Sequence, residues 1–162
     1  MLNIKVLCVG KVKENSLKNL IDEYLKRLSK YCKIEIVEID DEKVPLNYSE
    51  IEKNLILNTE GSKICDKISK IGKCHIFLLD IDSIQYSSED LAKKINDICT
   101  YKSSTIIFVI GGTLGIGSIV KKLEHEKISF SKLTFPHQLI RLFLLEQLFR
   151  VFKINNNETY HH

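Results

Sequence analysis

The chain reads as an α/β protein built on a parallel sheet with helices on both faces, and three observations lead there. Three apolar runs, Ile4 to Val9, His75 to Asp80 and Thr105 to Ile110, are nearly continuous, and the last is rich in β-branched residues. Strands of that kind are buried on both faces and belong mostly to parallel sheets. Stretches with helical apolar spacing separate them, as right-handed crossover units require. Each run also closes on turn residues: Gly10, Asp80 with Asp82, and Gly111 with Gly112.

At 162 residues, 44% hydrophobic and 28% charged, the chain suits one domain over residues 1-162 with a true core. A net charge of +3 is too mild to hold a nucleic acid by electrostatics alone, so such a partner must be recognised by shape or specific contacts. Five widely spaced cysteines without a C-x-x-C pair read as reduced core residues, with neither disulfides nor a metal site. The opening MLNIKVLCVGK is too short to span a membrane and has no signal-peptide cleavage pattern, so a cytoplasmic protein is expected.

After the first strand, Lys11 and Lys13 are either a solvated loop or an anion-facing pair. Leu17, Leu20, Ile21, Tyr24, Leu25 and Leu28 recur at helical spacing behind an Asn15/Ser16 cap signal. Ile34 to Ile39 alternates as a half-buried edge strand. From about Ser49 to Lys70 a helix shows weaker periodicity, interrupted by Gly61. Asp80 and Asp82 are suited to a ribose hydroxyl, a metal or simply a turn. Ser87-x-x-Asp90 reads as a capping box before Leu91, Ala92, Ile95, Ile98 and Cys99.

The stretch from Thr105 onward is where a site is expected: it holds four closely spaced glycines and four of the five histidines. IGGTLGIGS lacks the Lys-Ser/Thr of a Walker loop and is out of register with G-x-G-x-x-G. No acidic residue follows at the spacing a dinucleotide fold uses. A short helix is expected over Ser118 to Glu126, then a strand over Ile128 to Thr134. Pro136 opens a last helix, where its missing donor costs nothing. That helix is apolar nearly all round, from Leu139 to Phe152, and so must be covered on nearly all sides. A second copy of the chain, giving a homodimer, is the expected cover, with His137, Gln138, Arg141, Glu146, Gln147 and Arg150 at its seams.

KVLCVGKVKE, FVIGGTLGI, FSKLTFPHQLIRLFLLEQLFRVFKI and the ending ETYHH, in this order and spacing, resemble the ribosomal RNA large-subunit methyltransferase H family of the SPOUT class. The resemblance spans nearly the whole chain. It implies a C-terminal deep trefoil knot in the α/β sheet, a homodimer built on the knot, and S-adenosyl-L-methionine as cofactor. It implies that Leu79, Gly111, Phe130, Ser131, Lys132, Leu133, Thr134 and Phe135 hold that cofactor. By the same resemblance, Arg141, Tyr160 and His161 face the RNA and the methyl-transfer centre. The implied reaction methylates N3 of a pseudouridine in 23S rRNA on assembled ribosomes, with no metal and no membrane. His161 is the candidate base, because a histidine titrates near working pH; Arg141 is the alternative, stabilising charge that develops on the ring. Asn155 to Asn157, Thr159 and His162 depart from the usual family ending, which leaves tail rigidity and RNA affinity open. The contrasting reading is a catalytically silent ribosome-binding module on the same fold.

Overall fold

A computed structural model describes residues 1–160. The elements run β1 (Asn3–Val9), α1 (Asn15–Leu28), β2 (Lys33–Ile39), α2 (Glu50–Ser69) and β3 (His75–Leu79). They continue with α3 (Ser88–Tyr101), β4 (Thr105–Ile110), α4 (Ser118–Lys121), β5 (Glu126–Ile128) and α5 (His137–Asn155). All pairings are parallel, in the order β2-β1-β4-β3-β5. The expected architecture of a parallel sheet between helical layers is therefore present, with β2 at one edge.

Side-chain alternation along the central strands divides the core. Ile106, Phe108 and Ile110 of β4 face α1, α3 and α5, while Ile107 and Val109 face α2 and α4. Each fully buried aliphatic or aromatic side chain contributes about 1.5–3 kcal/mol, so β4, buried on both sides, anchors both layers.

Helix α5 explains its own composition. It packs against α1 and α3 and touches β4, burying Leu144, Leu145, Leu148, Phe149, Val151 and Phe152. Most of the cover that its apolar surface demands thus comes from its own chain. Leu139 and Phe143 stay 38% and 39% exposed.

Five expectations are corrected. Helix α1 starts one residue early, capped by the backbone of Glu14 without a side-chain bond, so Asn15 and Ser16 lie inside it. Helix α2 is firmer than its periodicity suggests, because Ser49 and Glu52 form a reciprocal capping box. Gly61 belongs there because a side chain would collide with Ile119 of α4. Helix α4 is only four residues long. The last strand is Glu126–Ile128, not Ile128 to Thr134; the residues after Ile128 leave the sheet, and only Ser129 keeps a bridge, to Gln85. At Ser87 half of the expected box forms, the hydroxyl accepting the Asp90 N–H.

Candidate functional site

A cavity of about 690 Å³ opens at the carboxyl ends of β3, β4 and β5. In open parallel sheets that end is where ligands collect. Three segments make its walls: Leu79 to Asp82, Ile110 to Ile116, and the irregular stretch from Ile128 to Phe135. The start of α5 closes it with Pro136, His137 and Ile140.

The glycine turn shapes one wall. A Cβ on Gly111 would lie 2.5 Å from the Gly115 carbonyl oxygen, so only glycine allows the turn to fold this tightly. Gly115 adopts φ +88°, and its N–H donates to the Gly112 carbonyl at 3.0 Å, so the turn satisfies itself. Leu79, Ile116, Ile128, Leu133 and Phe135 make much of the wall apolar. At the mouth, Asp80 accepts the Asp82 N–H at 3.1 Å and lies 3.8 and 3.6 Å from the Lys121 and Lys127 ammonium groups. Of the three readings of Asp80 and Asp82, the turn is what forms, and no cluster of metal ligands occurs among the described residues.

Leu79, Gly111, Phe130, Ser131, Leu133, Thr134 and Phe135 all line this cavity; Lys132 does not. The other expected residues stand elsewhere. Arg141 is 1% exposed, and its guanidinium faces inward. It donates to the Gly10 carbonyl at 2.8 Å, the Val9 carbonyl at 3.4 Å and Glu38 Oε2 at 3.1 Å, with Nε buried and unpartnered. Such an arginine clamps the carboxyl end of β1 and does not present its charge outward. Glu38 Oε2 also accepts the Val12 N–H at 3.2 Å, which extends the clamp into the loop after β1.

Tyr160 lies back on its own α5. Its ring meets Phe149 edge-on at 5.0 Å, the Arg150 guanidinium sits 4.9 Å over it, and its hydroxyl donates to Glu146 at 3.3 Å. Burial, then a hydrogen bond with Tyr24, pushes the phenol up to about 12. It lines neither this cavity nor the smaller one, about 470 Å³, behind the Ile128 to Ser131 wall. His161 lies outside the described residues.

Two residues not singled out for the pocket stand beside it. His137 lines the cavity, and burial followed by the Arg141 guanidinium lowers its pKa against the opposing pull of Asp41. Glu60, 4% exposed, accepts the Glu42 N–H at 3.0 Å and stands behind Gly112. Burial raises its pKa first of all, opposed by that hydrogen bond. The available sequence signal was a histidine in the first turn of a helix entered directly from a cavity-lining loop. Glu60, on a face shared with Ile56 and Ile64, gave a weaker one.

A parallel sheet with a glycine turn and an irregular final loop around one carboxyl-end cavity is the arrangement of a knotted methyltransferase class. Residues 2–161 match the family described as predicted SPOUT methyltransferases, and the chain belongs to that family. Among individual relatives, proteins named Ribosomal RNA large subunit methyltransferase H from Bacillus thuringiensis (strain Al Hakam) and Bacillus cytotoxicus are each 49% identical over 160 residues, covering 99% of this chain and 99% of theirs. A solved Legionella pneumophila methyltransferase with the cofactor SAM bound gives a TM-score of 0.51 at 10% identity. That likeness, which concerns the fold alone, covers 91% of this chain and 65% of that longer one.

Proposed function

We propose that this protein is an S-adenosylmethionine-dependent methyltransferase acting on N3 of a pseudouridine in 23S rRNA within the assembled ribosome. The observation that carries the reading is the cavity between the Gly111 turn and the Ile128 to Phe135 loop, in a chain 49% identical over nearly its full length to proteins named for rRNA methylation. The residues present fit the cofactor. The volume suits a nucleoside-sized ligand, apolar side chains from Leu79, Ile116 and Leu133 suit an adenine, and the bare Gly111 allows close backbone approach.

When bound, the sulfonium supplies an activated methyl group. The chain's part is to bind, orient and exclude water, because an in-line transfer needs positioning and no covalent enzyme group. Arg141 acts in this reading as a positioning residue, holding the β1 turn beside the pocket. Tyr160 and His161 bring the carboxyl-terminal tail to the substrate. We further propose that residues 1-162 act as one cytoplasmic domain, that the chain after β4 is threaded as a trefoil knot, and that two copies pair. Leu139 and Phe143 on α5, only partly covered within the chain, support the pairing, since they leave apolar surface on that helix for a second copy.

Ribosomes lacking the modification, mixed with the protein and a labelled methyl donor, are expected to take up label at the pseudouridine. No transfer to any rRNA, with large subunits bound and no cofactor heat in calorimetry, would establish the silent binding module instead.

A further inference from the structure

Four titratable side chains line the main cavity: Asp80, Asp82, Lys121 and His137. Under the proposed function, an imide N3–H must lose its proton at this cavity, and the four are unequal to that task. Lys121 is a cation and has no lone pair to offer. Asp80 is committed to Lys121, Lys127 and the Asp82 N–H. A carboxylate is in any case a weak base toward an imide, whereas imidazole lies much nearer the operating pH.

His137 is differently placed. It opens α5 directly after the cavity-lining loop, and its ring makes no hydrogen bond to any described residue. Its Nε2 sits over the carboxyl end of β1, 3.5 Å from where a Cβ on Gly10 would stand, and Asp41 and Arg141 converge on the same point. Three elements meet there: Arg141 from α5 itself, Asp41 from the segment after β2, and the Gly10 turn of β1, whose carbonyl accepts a hydrogen bond from the Arg141 guanidinium.

We infer that His137 is the general base of the methyl transfer, taking the N3 proton of the target base from its position on the cavity wall. In that step the N3–H bond breaks and its proton passes to the imidazole. The electron pair left on N3 forms the bond to the methyl carbon, and the pair of the breaking carbon–sulfur bond stays on sulfur. The imidazolium then returns its proton to water. Arg141 is the partner that makes the residue suitable, since with burial it disfavours the protonated ring. A neutral imidazole can accept a proton and does not repel a sulfonium. Asp41 works in the opposite sense and steadies the imidazolium once it has formed.

This inference rests on the proposed methyl transfer, and the test separates the two. His137→Gln and His137→Asn are compared with the parent for cofactor affinity by calorimetry and for methylation of unmodified ribosomes across pH. The expectation is unchanged affinity within about threefold, turnover lower by about a hundredfold or more, and loss of the acid limb of the pH–rate profile. A second readout is independent of activity: histidine NMR titration of the free protein places the His137 transition below the ordinary histidine value of 6.5, and Arg141→Met moves it upward. Retention of the acid limb with near-parental turnover overturns the assignment and moves the base to the tail. Cofactor affinity falling in step with turnover overturns it too, making His137 a binding group. A parent protein that transfers no methyl group overturns the proposed function itself.

Discussion

The carboxyl ends of β1 and β4 are neighbours in the sheet and are built in opposite ways. At β1, the turn is held from a distance: Gly10 donates to the Ile39 carbonyl at 2.7 Å, and its own carbonyl is held by Arg141, 131 residues further along the chain. At β4, the Gly111 to Gly115 turn closes on itself and needs no side chain from elsewhere. The contrast shows how one end of the sheet supplies both a fixed support and an open site. Where long-range side chains satisfy the backbone, the surface is committed; where a glycine turn satisfies itself, the adjoining cavity remains free for a ligand.

The largest effect is expected at the open end. Gly111→Val places side-chain atoms against the Gly115 backbone, and cofactor affinity measured by calorimetry should fall by about a hundredfold or more, equivalent to about 2.8 kcal/mol. Unchanged affinity would mean the turn does not shape the site. Stability, in contrast, should depend on the clamp. Arg141→Met leaves the Gly10 and Val9 carbonyls unpaired, and urea unfolding should show a loss of roughly 2–3 kcal/mol, with Arg27→Met, in an exposed helix pair, within about 0.5 kcal/mol of the parent. Equal losses at the two arginines would erase the distinction.

The two turns can be set against each other directly. Gly10 and Gly115 have φ of +92° and +88°, so alanine at either should cost about 1–2 kcal/mol in denaturant unfolding. Only Gly115→Ala, on the cavity wall, is expected to weaken cofactor binding as well. The smallest effect is with pH. Burial lowers the pKa of His75 and His137 below the usual 6.5. The unfolded chain therefore takes up protons first, so their contribution is complete above about pH 6.5 and is lost as pH falls toward the lowered folded values. Urea midpoints at pH 7 and pH 5 should differ less in His137→Gln than in the parent; an equal or larger difference would count against a neutral, buried His137.

Strand β4 was legible to the residue, since a β-branched run bounded by Thr105 and Gly111 has few other conformations available. Strand β5 was not. Ile128 to Thr134 reads as a strand, yet beyond Ile128 only Ser129 keeps a bridge and most of the residues line a cavity, a choice that local sequence does not record. Seven of the eight residues expected to hold the cofactor line one cavity, because a single loop and two strand ends carry them. The setting of Arg141 was hidden for the converse reason. On a helical wheel, a lone arginine among apolar residues looks like a seam of an interface, and only the packing of α5 over β1 turns it inward.

The order of strands and helices, the buried central strands, the glycine turn and the family were determined by the sequence alone, because each rests on neighbours within a few positions or on a pattern carried along the whole chain. The meeting of Gly10, Asp41, His137 and Arg141, the inward turn of that arginine and the limit of β5 were decided only by tertiary structure. Those features depend on which distant side chain satisfies a buried carbonyl and on which segment leaves the sheet, and neither is carried by neighbours in the sequence.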